Sequence, residues 1–357
     1  MYQNRFQHLS NLNRKRIPEP PNIRMRLHRN ERPESWPSEF VALLGSTIPT
    51  HIFERYPDPT ILYEKLAAFV GVIPDQLLIT SGIDEQVKTL IMLACGEGDE
   101  ICVPWPSYAM YKVYADIFGA GFKPIPYYPD SIVAPEDIIG AISPRTRILF
   151  LPNPNQPVEN CFTPVEVETI AIACARNDTI LAVDEAYFYY GAPTCIGLIE
   201  KFDNLVVMRT LSKAFGGAGL RLGFAVGQER VLGPMKTVRL AHECNSLSIH
   251  AGIMLLDRFD EYVEPSIRDI CAGRSLVREQ CRQLDFKTWG SVSNNVLIDL
   301  GSEETKSKFI SGLEAQGVFV KGNFDAPMNH HILIGCGSVA LMSQFMEIFK
   351  AISKSST

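Results

Sequence analysis

Strand-like and helical stretches alternate through the middle of this chain, and that alternation predicts an α/β fold layered on a largely parallel sheet. Two further observations agree with it. Glycines stand where helical periodicities stop, at Gly71 and Gly96. Residues of chemical interest cluster just past the ends of the strand candidates, where ligands bind in an open α/β sheet. At 357 residues the chain is long enough for one large and one small domain.

Taken in order, Tyr63 to Val70 reads as a helix ending at Gly71, and Asp84 to Cys95 as a helix ending at Gly96. In the second, Val87, Leu90 and Ile91 recur at helical spacing. Strands are predicted over Glu100–Val103, Arg147–Leu151, Ile180–Val183, Leu205–Met208 and Leu222–Val226. Helices fit between them at Ser107–Phe118, Pro164–Arg176 and Glu229–Leu240. After about Tyr262 the order changes to a long helix, a strand over Val296–Leu300, a helix over Glu303–Gln316 and a strand over Ile332–Ile334. This tail is expected to pair with the N-terminal segment and form the smaller domain.

Composition narrows the function. Hydrophobic residues make up 46% and charged residues 21%, ordinary values for a globular protein. A net charge of −6 offers no attraction to nucleic acid or an anionic membrane surface. No apolar run reaches the roughly 18 residues that span a bilayer. Met1 to Arg16 is polar and basic without an apolar centre, so it does not read as a secretory signal. Nine cysteines without a Cys-x-x-Cys pair suggest reduced thiols in a cytoplasm. No metal is expected: His330-His331 is the tightest histidine cluster, and adjacent residues ligate one ion poorly.

The chemistry centres on Lys213, in the run Thr210-Leu211-Ser212-Lys213-Ala214-Phe215-Gly216-Gly217-Ala218-Gly219-Leu220-Arg221. Small residues let a planar ligand approach the backbone, while hydroxyls and an arginine suit a phosphate dianion. A desolvated lysine loses its proton readily, and its amine then forms a Schiff base with a carbonyl. Other strand ends add to the list. Thr80 to Glu85 precedes a helix whose free N–H groups attract an anion, although Ser81 or Asp84 could equally be a helix cap. Asn153-Pro154-Asn155-Gln156-Pro157 is a turn after a strand. Asp184 and Glu185 end an apolar strand, an unusual place for carboxylates unless a cation needs one. Pro104-Trp105-Pro106-Ser107-Tyr108 offers rings for stacking.

Together these motifs resemble pyridoxal-phosphate enzymes of the aspartate-aminotransferase fold, and most of all the histidinol-phosphate aminotransferase family. The markers are Asn30-Glu31-Arg32-Pro33, Arg55-Tyr56-Pro57-Asp58, Ser81-Gly82-Ile83-Asp84-Glu85, Asn153-Pro154-Asn155, Asp184-Glu185-Ala186-Tyr187 and Ser212-Lys213-Ala214-Phe215-Gly216. The resemblance implies a large three-layer α/β/α domain over residues 46–275 and a smaller α+β domain from 1–45 with 276–357. It implies pyridoxal 5'-phosphate held by Lys213, with Asp184 pairing the pyridine nitrogen. Asn155 and Tyr187 would bond the ring's phenolic oxygen, and Tyr108 would stack on the ring. Gly82, Ile83 and Asp84, with Ser212 and Arg221, would bind the phosphate. Tyr56 would reach the cofactor phosphate of a neighbouring subunit, which implies a homodimer with shared active sites.

The chain departs from this family at its substrate clamp. The family usually carries an arginine in a C-terminal Leu-Arg-Ile segment, and here His331 stands in that place. The upstream Val-Arg reads Val320-Lys321, and the usual Pro-Thr-Gly reads Pro157-Val158-Glu159. Histidine does not fork onto a carboxylate as arginine does. Arg29, Arg32 or Lys321 could bind the substrate anion instead, with His28 and His331 as further proton-transfer groups. Three readings stay open: a biosynthetic aminotransferase for a small amino compound; a lyase, decarboxylase or cyclase using the same cofactor on a phosphorylated hydroxy-amino acid or hydroxylated arginine; or a cofactor-binding protein without catalysis.

Overall fold

A computed structural model describes residues 9, 12, 18–131 and 133–355. Met1 to Arg16 thus lies outside the described residues, apart from Leu9 and Leu12. The chain enters through β1 (Met25–Arg26), α1 (Ser38–Ser46) and α2 (Thr60–Val70). Gly71 closes α2 in the left-handed region, at φ 80°. There follow β2 (Leu77–Thr80), α3 (Ile83–Ala94), β3 (Glu100–Trp105), α4 (Met110–Phe118), β4 (Gly121–Pro126), α5 (Pro135–Ala141) and β5 (Thr146–Pro152). The middle continues with α6 (Pro164–Arg176), β6 (Ile180–Asp184), β7 (Leu205–Thr210), β8 (Gly223–Gly227), α7 (Glu229–Thr237) and α8 (Ser246–Asp257). The tail holds α9 (Glu264–Gln283), β9 (Thr288–Trp289), β10 (Asn295–Asp299), α10 (Glu303–Ala315), β11 (Val318–Phe319), β12 (His331–Gly335) and α11 (Val339–Ser355).

Seven strands form one sheet in the order β2-β8-β7-β6-β5-β3-β4. Only β8 runs against its neighbours; the β3–β4, β3–β5, β5–β6 and β6–β7 pairs are all parallel. Alternate residues of each strand enter different cores. Leu149, Leu151, Leu181 and Val183 join one, while Ile148, Phe150 and Ala182 join the other. A sheet buried on both faces is the middle of three layers, so its strands read as unbroken apolar runs. The order turns back between β3 and β5, and the C-terminal strand ends beside that point form the crevice where an α/β sheet binds its ligand.

Two smaller sheets complete the fold. β1 pairs in parallel with β11, Met25 opposite Val318, so the N-terminal segment does join the tail. β12, β10 and β9 form an antiparallel sheet. Several details differ from the sequence reading. α4 begins at Met110 because Ser107 and Tyr108 stay in the preceding loop and face the crevice. Unforeseen β4 contains Pro124 and Pro126, which the sheet tolerates because β4 is an edge strand.

Candidate active site

The ends of β2, β5, β6 and β7 and the loop after β3 converge on one cavity. Of the predicted residues, Ile83, Asp84, Tyr108, Asp184, Tyr187, Ser212, Lys213 and Arg221 line it. Arg221 precedes β8, and because β8 is reversed its start lies at the same sheet edge as the other strands' ends. Lys213 extends its Nζ to 5.5 Å from the centre of the Tyr187 ring. Tyr187 in turn accepts a hydrogen bond from Asn30 Nδ2 at 3.3 Å.

Asp184 sits at the floor, 6% exposed. Tyr111 donates its hydroxyl to Oδ2 at 2.6 Å, and the Ala186 N–H donates to Oδ1 at 3.0 Å. Burial dominates these bonds and raises the carboxyl pKa to about 6. Such a carboxylate gains most from a cation placed against it.

The other end of the cavity is built for an anion. Gly82 precedes α3 at φ 77°, and a Cβ there would come within 2.9 Å of Arg221 Nη2. Glycine therefore lets the guanidinium lie against the helix start. Ile83 and Asp84 begin α3, where backbone N–H groups have no intrahelical acceptor. The Gly82 N–H is already spent on the Thr80 carbonyl at 2.8 Å. Arg221 Nη1 reaches Ser212 Oγ at 3.5 Å, and its other nitrogen lies 3.9 Å from Asp84. Tyr108 donates its hydroxyl to Asp84 Oδ1 at 2.6 Å, which holds its ring at the cavity wall.

Asn155 is placed differently from its expected task. Its Oδ1 accepts from Ser107 Oγ at 2.7 Å, and its Nδ2 donates to the carbonyls of Pro106 and Val158, both at 3.1 Å. The amide is fully used inside the wall. The neighbouring Gln156 lines the cavity instead, and its buried Nε2 has no hydrogen-bond partner. A buried amide donor left unpaired in the wall of a cavity has the chemistry of a group waiting for an acceptor. The sequence offered one signal for it, since Gln156 shares the turn with Asn155.

None of the three substrate candidates lines the cavity. His28 packs edge-on against Phe319, and Arg29 pairs with Glu19 at 3.2 Å. His331 is buried on β12 against Trp289, and neither ring nitrogen has a hydrogen-bond partner. Arg32 is held by Ser266, the Glu34 carbonyl and the Trp36 ring. Among the described residues, only Asp299, His330 and His331 bring three metal-type donors within 4.8 Å of one another, and there the His330 ring rests 3.3 Å from the Asp299 carboxylate. Of the candidate anion-binding cations Arg29, Arg32 and Lys321, it is Lys321 that turns inward. Its backbone pairs with Leu333, and its Nζ lies 5.4 Å from the Phe324 ring centre. Burial and then repulsion from Lys213 hold its pKa below the usual value, and no carboxylate offsets them. Lys321 lines a groove that shares Ser107 with the cavity. Tyr56 lies apart, 83% exposed and stacked on His242 with ring centres 4.4 Å apart.

A lysine opposite a buried carboxylate, an anion cradle and an unpaired amide donor fit pyridoxal 5'-phosphate, and fold and site define a pyridoxal-phosphate enzyme of the aspartate-aminotransferase fold. The chain belongs to the aminotransferase class I and II family, whose family model matches residues 38–339. A histidinol-phosphate aminotransferase of Thermoanaerobacter pseudethanolicus is 32% identical over 302 residues, 84% of each chain. The structure of a histidinol-phosphate aminotransferase from Sinorhizobium meliloti, in complex with pyridoxal-5'-phosphate, superposes with TM-score 0.86. It covers 94% of this chain and 92% of its own at 22% identity, a likeness of fold. An aspartate aminotransferase variant of Thermus thermophilus gives TM-score 0.78 at 21% identity, covering 92% and 97%. This protein is therefore a pyridoxal-phosphate-dependent aminotransferase-family enzyme.

Proposed function

We propose that this enzyme takes an amino group from a small biosynthetic amine bearing an anionic group, and that Lys321 holds that anion. The observation that carries the reading is the inward-facing Lys321, depressed in pKa by burial and by Lys213. A buried ammonium without a counter-ion is costly, and a substrate phosphate or carboxylate relieves that cost. Relatives named for histidinol phosphate agree with such a donor.

When bound, the cofactor supplies an aldehyde that accepts an amine and a ring that absorbs the electron pair released at the adjacent carbon. The protein's proposed share is binding, orientation and proton movement. Lys213 anchors the cofactor and, once displaced, moves the proton at the substrate's α-carbon. Asp184 holds the proton on the pyridine nitrogen. Gln156 Nε2 and the Tyr187 hydroxyl bond the ring oxygen, the role first expected of Asn155. Ser212, Arg221 and the α3 amides of Ile83 and Asp84 bind the phosphate, and Tyr108 covers the ring face.

The proposed assembly is a homodimer in which Tyr56 reaches the partner's cofactor phosphate. Support comes from the exposed flank around the Tyr56–His242 stack, where Phe53 is 80% and Leu240 63% exposed. Division into residues 46–275 and 1–45 with 276–357 is supported by sheet membership: β2 to β8 form one sheet and β1 joins β11. A reducing, cytoplasmic setting is supported by nine free cysteines. No described helix is long and apolar enough to cross a membrane.

Steady-state kinetics test the substrate reading. Lys321→Ala is expected to raise KM for anionic donors by about 10- to 100-fold, the loss of a charge-assisted contact, with a smaller change in kcat. His331→Ala should leave KM within about two-fold. The reverse pattern would place the anion at β12 and refute the proposal.

A further inference from the structure

Glu159 stands in the turn after β5, and its carboxylate is fully occupied by a segment far away in sequence. Its Oε1 accepts from the N–H and the hydroxyl of Ser291, both at 2.6 Å. Its Oε2 accepts from the Val292 N–H at 2.9 Å and the Ser293 hydroxyl at 3.1 Å. An ionised carboxylate has about four acceptor positions, and three consecutive residues fill them here. Charge-assisted bonds of this kind are about twice as strong as neutral ones.

The clamped segment leads toward the cavity by one chain of hydrogen bonds and braces the backbone just beyond Tyr187 by another. Asn294 Nδ2 donates to the Asn30 carbonyl at 3.2 Å, and Asn30 Nδ2 donates to the Tyr187 hydroxyl at 3.3 Å. Arg274 donates to the Ser293 carbonyl at 2.5 Å and to the Tyr190 carbonyl at 3.4 Å, three residues beyond Tyr187. Glu159 also belongs to the turn that presents Gln156, closed by the Asn155 N–H on the Asn160 carbonyl at 3.0 Å.

We infer that Glu159 is a positioning residue: by clamping Ser291–Ser293 it fixes the Asn294–Asn30 pair that aims the Tyr187 hydroxyl into the cofactor site. The inference rests on the proposed contact of Tyr187 with the cofactor. It assigns a task to a carboxylate that the sequence alone left without one; a residue without a side-chain acceptor at 159 would leave these four donors without their partner.

The test uses the cofactor-loaded enzyme and follows the pH titration of its visible absorbance, with thermal midpoint and kinetics alongside. Glu159→Ala is expected to move the titration midpoint by about 0.5 unit or more and lower kcat about ten-fold, with KM within two-fold. Glu159→Gln, which keeps an acceptor oxygen, should recover at least half of that shift. The Ser291→Ala/Ser293→Ala variant keeps both backbone bonds to Glu159 and should move the midpoint the same way. It carries the test if Glu159→Ala fails to fold. Added to Glu159→Ala it should do nothing further, because both act on one contact. A lowered thermal midpoint with an unmoved titration would make Glu159 merely structural and overturn the inference. Tyr187→Phe is the control. If it too leaves the midpoint unmoved, the Tyr187 contact itself is wrong and the inference falls with it.

Discussion

In its proposed role, Asp184 would couple folding to the cofactor. Its ordinary pKa is near 3.8, and burial raises it to about 6 in the folded chain. The folded state therefore binds the proton more tightly, and stability from this group is present below about pH 4 and lost as pH rises through 6. A shift of this size corresponds to about 3 kcal/mol at neutral pH, an order-of-magnitude figure. In cofactor-free protein, Asp184→Asn should raise the melting temperature more at pH 8 than at pH 5. With cofactor bound the advantage should vanish, because a protonated ring nitrogen held by Asp184, as proposed, would compensate the carboxylate. Differential scanning calorimetry at the two pH values checks this, and a pH-independent difference would contradict it. Lys213→Ala should lose the borohydride-fixed cofactor and about 10³-fold or more in turnover. A fixed label retained on the variant would name another lysine.

At the scale of elements, the turn Asn153–Asn160 shows where sequence reading stopped. Its position after β5 was legible from the apolar run that ends at Pro152. Which amide keeps an unpaired donor was not, because that depends on how the turn folds. Asn155 is consumed by Ser107, Pro106 and Val158, leaving Gln156 with the free donor. Asn155→Ala should thus cost about 2–3 kcal/mol in urea unfolding, the price of unmade buried hydrogen bonds. Gln156→Leu should instead move the cofactor's absorbance titration with little loss of stability, and the opposite assignment of effects would restore Asn155 to the site. The same limit applied to β12. Alignment of motifs put His331 at the clamp, but strand pairing sets it opposite Asp299 and beside Trp289, while Lys321 turns toward Lys213.

Across the whole molecule, the alternating pattern was enough for the three layers because apolar strands covered on both faces and helices with one apolar face leave few other packings. Long-range pairing was harder. The β1–β11 contact brings together residues nearly 300 positions apart, and only the expectation that the tail meets the N-terminus anticipated it. The edge strand β4 escaped notice because its prolines argue against a strand in any other place. If Tyr56 completes the partner's site, mixing inactive Lys213→Ala and Tyr56→Ala proteins should yield hybrids with one intact site and recovered activity. Absence of recovery after verified subunit exchange would mean each chain works alone.

The most direct measurement is a single half-reaction. The cofactor-loaded enzyme is mixed with amines such as glutamate, histidinol phosphate, phosphoserine, arginine and hydroxyarginine, with no keto acid present. Absorbance and product mass are followed together. Conversion of the cofactor to its amino form, with one equivalent of carbonyl product from an anionic donor, is the result expected. Repeated product release with the aldehyde form of the cofactor regenerated would contradict aminotransfer and make the enzyme a lyase, decarboxylase or cyclase.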